Sequence, residues 1–363
     1  MRTNIIISKI MEIQDFINYH KDDYIKLLRK MNLSVKVSGD LIIVKQYKNK
    51  NYSDDKLLKY CRGCIINKND LNVICIPPMK CNEITDIDEI INNFNEENEY
   101  QPLIDGTMIN MCFHKEWKIN TRSFIGANNK WLNKKTFKEL FEKINGVEWF
   151  NYLDKDKSYT FVMQHKDVRN VTPVNTNKIY LVDAFDLKEM KYIKSSCLPI
   201  IEGIETISKL NKEEIIEYKN NLYFSIKGII IKNKNKYLKW INPNFKLVSD
   251  MKINNNNNFM NYIDLIKTQK TEQYLYYYPE LIEEFTTYNH FIYYLIDILH
   301  KNYIDIFINK RILLKDTNHI LIPLLREIHN KYKEDNIKTT KGKIYNIIIE
   351  NDSRRLLFIK NRL

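Results

Sequence analysis

Glycine is scarce in this chain: there are eight in 363 residues, where an average composition holds about 7%. Where a glycine does occur, a backbone geometry that other residues reach only with strain is the expected reason. Arginine is scarce as well, ten of the 57 basic residues, so lysine carries the positive charge. The six cysteines (Cys61, Cys64, Cys75, Cys81, Cys112 and Cys197) are too few for a chain of this length to be the disulfide framework of a small secreted protein. No run approaches the ~20 apolar residues of a membrane-spanning helix, and Ile5-Ile6-Ile7 is too short an apolar core for a signal peptide. The expectation is a soluble protein of the cytoplasm, that of a virus-infected host cell included, with no membrane partner.

What the chain does contain is ordinary for a globular protein. Hydrophobic residues make up 44% and charged residues 28%, which excludes disorder for most of it, and the length suits two or three domains. The net charge of +12 favours polyanions such as nucleic acid. However, Ile, Asn, Lys and Tyr recur throughout, as an AT-rich coding sequence produces, so the total charge assigns no function by itself. Cys61-x-x-Cys64 with Cys75 and Cys81 offers four thiolates to a zinc ion, but gaps of ten and five residues match no common knuckle pattern. Cys64-Ile65-Ile66 also opens an apolar run, so the reading preferred is a buried core without metal.

Apolar residues Ile13, Phe16, Ile17, Tyr24, Leu27 and Leu28 recur at near-helical spacing and predict one amphipathic helix over 11–31. Short β-branched runs at Ser34–Val37 and Leu41–Tyr47 flank Ser38-Gly39-Asp40 and predict a hairpin. Cys61–Asn67 and Val73–Ile76 repeat the pattern around Asn67-Lys68-Asn69-Asp70, and further strands are expected at 107–113, 117–124, 159–165 and 179–186. Helices are expected at 86–97, 134–144 and 211–219. Strands interrupted irregularly by helices argue for an α+β architecture. Beyond Asn254–Asn258, a polar low-complexity run, the text turns helical and aromatic, with runs at Tyr274–Tyr278, Leu281–Phe285, Phe291–Tyr303, Ile320–Tyr332 and Ile344–Ile349. The organisation expected is a first domain over 1–253, an Asn-rich linker over 254–261 and a helical domain over 262–363.

One stretch gathers chemistry. Gln101-Pro102-Leu103-Ile104-Asp105-Gly106-Thr107 holds the only Asp-Gly pair in the chain, a turn signal on its own. Upstream stand Tyr60-Cys61-Arg62-Gly63 and Pro78-Met79-Lys80-Cys81-Asn82-Glu83. Downstream come Asn120-Thr121-Arg122-Ser123, Phe161-Val162-Met163-Gln164, Arg169-Asn170-Val171, Tyr180-Leu181-Val182-Asp183, Lys227-Gly228-Ile229-Ile230-Ile231 and Leu238-Lys239-Trp240-Ile241. Gly63, Gly106 and Gly228, with Arg62, Arg122 and Arg169, place scarce residues on these segments. An arginine in a lysine-writing chain suggests a planar contact to phosphate or carboxylate.

The order of these segments resembles the ATP-dependent RNA ligases of phage and virus type, within the covalent nucleotidyltransferase superfamily. The resemblance runs over about residues 35–250. It implies an ATP-grasp-like nucleotidyltransferase domain of antiparallel sheets flanked by helices, followed by an all-α domain. In such enzymes a lysine amine attacks the α-phosphate of ATP to form lysyl-AMP, carboxylates hold Mg²⁺ and lysines neutralise phosphate charge.

The motifs depart from that family at four charged positions. Leu103 stands at the nucleophile, Gln164 at the glutamate of "F-E-Y", Lys227 at the glutamate of "E-G" and Ile241 at the second lysine of "K-x-K". Placing a lysine where a carboxylate belongs changes local charge by two units, and unit charges 4 Å apart interact by about 4 kcal/mol at an effective dielectric of 20. Arg62, Lys80, Arg122, Lys227 and Lys239 are therefore expected to line a positive cleft facing mainly Asp105, with Gly106 and Gln164 beside it, open to RNA or a nucleotide. No catalytic residue, no metal ligand and no certain cofactor are assigned. Two alternatives stay open: an active divergent ligase using ATP and Mg²⁺ with Lys227 as a relocated nucleophile, and a scaffold that binds other proteins.

Overall fold

The computed structural model describes residues 12–47, 57–131, 134–233, 236–252, 255 and 257–363. The chain divides into two compact units between Ser249 and Asp250, the first α+β and the second helical.

The first unit begins with two short helices, α1 (Ile13–Tyr19) and α2 (Tyr24–Lys30), rather than the one expected over 11–31. Residues 20–23 turn between them, where Asp22 and Asp23 compete poorly for helix interior. Both apolar stripes still reach one core, with Phe16, Ile17 and Leu28 against Ile42, Val44 and Ile66. That core lies on an antiparallel sheet of β1 (Leu33–Ser38), β2 (Leu41–Gln46), β3 (Arg62–Asn67) and β4 (Val73–Cys75). Ser38 pairs with Leu41 across Gly39-Asp40, the hairpin expected. Cys61, Cys64 and Cys75 are buried here and none is in a disulfide.

Two further sheets frame the site. One contains β7 (Thr107–His114), β8 (Glu116–Thr121), β9 (Phe124–Ile125), β10 (Lys157–Gln164), β11 (Lys178–Asp186), β12 (Lys191–Tyr192) and β13 (Glu205–Thr206). The other runs in the order β5 (Cys81–Ile84), β15 (Tyr237–Ile241), β14 (Gly228–Lys232), β6 (Glu99–Pro102). Nearly all pairings are antiparallel; β5 with β15 and β13 with β11 are parallel. Each sheet buries its back against helices, as the two-residue side-chain period dictates.

On the larger sheet Ile109 and Met111 of β7, Phe161 and Met163 of β10 and Ile179 and Leu181 of β11 pack on α4 (Phe137–Asn145). Helix α4 is capped by a reciprocal Thr136 and Glu139 pair, which satisfies two otherwise unpaired backbone donors and starts the helix after the 134 expected from periodicity. Its Phe137, Leu140 and Phe141 are buried, each worth roughly 1.5–3 kcal/mol. On the smaller sheet Tyr100, Ile229, Ile231 and Trp240 face α3 (Ile87–Asn92) and α5 (Lys212–Asn220).

Helix α6 (Pro243–Met251) runs to the division between the units. In the second unit, α7 (Asn258–Lys267) opens with Asn257 as its cap. Residues 258–261 are thus the first turn of a helix and not linker, because an Asn side chain that accepts from the third backbone N–H favours helix initiation. Then follow α8 (Thr271–Tyr277), the 22-residue α9 (Ile282–Tyr303), α10 (Ile322–Asp335), α11 (Lys341–Glu350) and α12 (Ser353–Lys360). Helix α9 absorbs two runs that the sequence suggested as separate. Phe259, Tyr262, Tyr274 and Phe285 are buried, so these aromatics form core.

Candidate functional site

The front faces of the two framing sheets enclose a cavity of about 330 Å³. Strand alternation fills it. On β14, Ile229 and Ile231 point to the helices while Ile230 and Lys232 line the cavity. On β15, Trp240 points away and Lys239 and Ile241 line it. Leu103, Ile104, Gly106 and Met108 come from the turn into β7.

Two motif glycines allow the backbones to come this close. Gly106 has φ +155°, and a Cβ there would lie 2.5 Å from the Met163 carbonyl oxygen. Gly228 has φ +143°, and its Cβ would lie 2.0 Å from the Trp240 carbonyl oxygen. Neither position can carry a side chain in this backbone.

The expected site residues do not all meet. Arg62, Lys80, Lys227 and Lys239 line the cavity. Arg122 does not; it follows β8, its backbone lying against Gly63, where a Cβ would meet the Arg122 carbonyl oxygen at 2.9 Å. Asp105 is also absent from the lining. Its carboxylate is buried: Oδ2 accepts the backbone N–H groups of Val171 at 2.9 Å and Thr172 at 3.1 Å, and Oδ1 takes the Lys227 Nζ at 3.3 Å. Asp105 therefore ties a loop to the motif instead of facing the cleft. Gln164 donates from Nε2 to the Asp105 carbonyl at 2.9 Å, a second tie of the same kind. Arg169 spends Nε and Nη2 on the Val171 carbonyl, at 3.1 and 2.7 Å.

The carboxylate that does line the cavity is Asp183, and it comes with a fifth cation, Lys232. The pairing register of β10 with β11 goes from Thr160↔Asp183 to Phe161↔Leu181, leaving Val182 bulged. A bulge re-aims the residues beside it, so both Val182 and Asp183 reach the cavity. Lys232 Nζ sits 3.8 Å from Asp183 Oδ2 and donates to the Val182 carbonyl. Asp183 is 2% exposed; burial raises its pKa, and the Lys232 charge pulls the other way.

The other cations are also held. Arg62 Nη1 donates to the carbonyls of Met79 at 2.7 Å and Pro78 at 3.3 Å, and burial pulls its guanidinium below the ordinary value, with Arg122 adding in the same direction. Lys239 pairs with Glu83 at 3.1 Å, a contact set by the parallel register that puts these two residues side by side; the pair holds the Glu83 carboxyl below its usual range.

Five cationic side chains and one carboxylate thus line the cavity, a balance that suits an anion. Mg²⁺ is usually held by one or two carboxylates together with phosphate oxygens and water; the one carboxylate here, Asp183, is set beside Lys232, and among the described residues no group of three or more His, Cys, Asp or Glu side chains is placed to hold a metal. The cations offer contacts to an anion such as phosphate, and Leu103, Met79, Val162 and Ile230 form an apolar wall beside them. Alternation on β14 could have found Lys232 from sequence; Asp183 could not be found that way, because the bulge is invisible there. Among the described residues no helix is long and apolar enough to cross a membrane.

Comparison with known proteins gives a partial likeness. No family model matches the chain. An RNA ligase of Rhodothermus phage RM378 is 27% identical over 196 residues, a match that takes in 44% of this chain and 44% of that ligase. Among solved structures, a putative ATP-dependent DNA ligase from Aquifex aeolicus overlaps 85% of this chain and 79% of its own at 12% identity and TM-score 0.43. An archaeal ATP-dependent RNA ligase overlaps 65% and 67% at 12% identity and TM-score 0.45. Overlaps that loose fix no detail of this site. The similarity to RNA ligases read from the motifs is met again in the phage protein.

Proposed function

We propose that the chain is an RNA-ligase-like protein that binds RNA or a nucleotide through phosphate in the cavity between its two framing sheets and does not form a lysyl-adenylate. The observation that carries this is Leu103: it lines the cavity at the place where the motif would set the lysine nucleophile, and an alkyl side chain cannot form a phosphoramidate. The cavity's excess of cations supports phosphate binding without a metal-binding carboxylate set. RNA as the ligand rests on the resemblance to RNA ligases.

A relocated nucleophile is the second reading, because Lys227 lines the same cavity as Leu103. Against it, Lys227 Nζ is taken up by Asp105 Oδ1 and by the Ile104 carbonyl at 3.4 Å, which turns the amine toward the motif loop.

Incubation with α-labelled ATP and Mg²⁺ or Mn²⁺ decides between them. The expected result is no label on the denatured protein, together with RNA binding that weakens steeply with salt, as several phosphate contacts require. A protein-AMP band that survives denaturation and disappears in Lys227→Ala overturns the proposal in favour of the relocated lysine. No RNA or nucleotide binding even at low salt leaves only the scaffold.

A further inference from the structure

Arg62 of the cleft is also the first member of a row of cations that leads away from the cavity. The row is set by strand register. On β2, Lys45 lies between Arg62 of β3 on one side and Ser34 of β1 on the other. Lys36 stands two residues on from Ser34 and so projects from the same sheet face. That face also holds Leu41 and Ile43, which pack with Cys112 and Ile125 of the larger sheet. Arg62, Lys45 and Lys36 therefore follow one another along the seam between these two sheets.

The larger sheet meets this row with one turn. Arg122 and Ser123 join β8 to β9, with Thr121 paired to Phe124 across them. Lys45 Nζ donates to Ser123 Oγ at 2.9 Å, and Lys36 Nζ stands 4.5 Å from the centre of the Phe124 ring. The Arg122 backbone lies against Gly63, and its charge acts on Arg62. Among the described residues neither Lys36 nor Arg122 forms an ion pair, unlike Lys227, Lys232 and Lys239 of the cavity. Phe124 is 45% exposed, although a ring of that size gains most from burial. No aromatic ring among the described residues lines the cavity itself. A base that finds no platform inside the cleft therefore finds one on this strip.

We infer that this strip is the path of a single-stranded RNA outside the cavity, with backbone phosphates on Arg122 and Lys36 and a base stacked on Phe124. The inference rests on RNA as the ligand of the cleft, as proposed above. Cations on adjoining strands suit a run of phosphates, and an exposed ring suits any base, because every base has a π-face. Lys36 leaves the ring when the base arrives, since stacking on a base is worth more than an exposed cation–π contact. Its ammonium then meets the backbone. A duplex keeps its bases stacked on one another and offers none to Phe124.

The test is binding to the full chain, followed by fluorescence anisotropy over a range of salt, of a single-stranded oligoadenylate of about twelve nucleotides and of an RNA duplex of the same length. Phe124→Ala is expected to weaken the single strand about tenfold, to leave the slope of affinity against salt unchanged and to keep the duplex within about twofold. Phe124→Trp retains a ring and should hold the single strand within about twofold of the parent, which separates loss of stacking from loss of fold. Lys36→Met and Arg122→Met should each lower the salt slope by about 0.7, the share of one single-strand phosphate contact. No RNA binding by the parent even at low salt overturns the reading of the cleft and this inference with it. Parent binding that Phe124→Ala changes by less than about twofold, that falls equally for strand and duplex, or whose salt slope neither cation variant moves overturns this inference alone and leaves the cleft as proposed.

Discussion

The helical unit has a cavity of about 700 Å³ beside Tyr303 and Thr339, and it is built differently from the cleft of the first unit. In the cleft of the first unit the charged groups mostly have protein partners: Lys227 with Asp105, Lys239 with Glu83, Lys232 with Asp183 and Arg62 with two carbonyls. Beside the second cavity the buried hydroxyls of Tyr303 and Thr339 have none, and in the cleft Asp183 Oδ2, though close to Lys232, accepts no hydrogen bond. A ligand of the cleft must therefore displace most of its charged contacts, whereas the two hydroxyls of the helical unit are closed off from solvent without partners. The difference shows that an excess of lysines is weak evidence for an open binding surface, because most of the charge in the cleft is already spent inside the protein.

The contrast breaks most visibly at Lys232. Lys232→Met leaves the Asp183 carboxylate buried without its cation and should cost about 3–5 kcal/mol at neutral pH, read from the denaturant midpoint. The pH dependence has a definite sign. The Asp183 pKa is raised above its ordinary 3.8, so the folded state binds more protons than the unfolded one, and this group's stabilisation is complete below about that pH and falls as pH rises through the raised value. The loss caused by Lys232→Met should accordingly shrink below pH 4. An equal loss at both pH values would mean that Lys232 acts through packing and not charge.

Backbone closeness is the next largest effect. Gly228→Ala should cost about 3 kcal/mol or more, since its Cβ would sit 2.0 Å from a carbonyl oxygen and the strain adds to the clash. Gly39→Ala, at φ +61° with nothing within 4 Å, should cost only about 1 kcal/mol. Similar losses at the two positions would remove the case that the cleft requires its glycine.

The smallest effect has the opposite sign. Thr339→Val removes an unpartnered buried hydroxyl and should stabilise the ligand-free protein by about 1 kcal/mol. Destabilisation of that size would show that the hydroxyl has a partner after all and would erase the difference between the cavities.

Much of the frame was legible before folding is considered. Alternation at 179–186 and 159–165 placed β11 and β10, periodicity placed α4 within a few residues of its ends, and scarcity pointed to glycines that do occupy positions closed to side chains. The failures have two causes. Arg122, Asp105 and Gln164 were expected in the cleft because their motifs are, yet a motif sets where a backbone passes and not which way a side chain turns. Helix α9 was read as two runs because its polar interruptions look like breaks until the neighbouring α10 and α11 pack along it.

Residue identity alone settled that no amine stands at position 103, because a leucine side chain cannot become a phosphoramidate in any fold. It also marked β1 to β4, β7, β8, β10 and β11, since a period of two sorts each run into two faces. Only the tertiary structure decided which charges meet. The extra residue at Val182 shifts the faces of β11 and brings Asp183 to Lys232. Registers between strands far apart in sequence are set by packing across the whole sheet, and no local stretch of sequence contains that information.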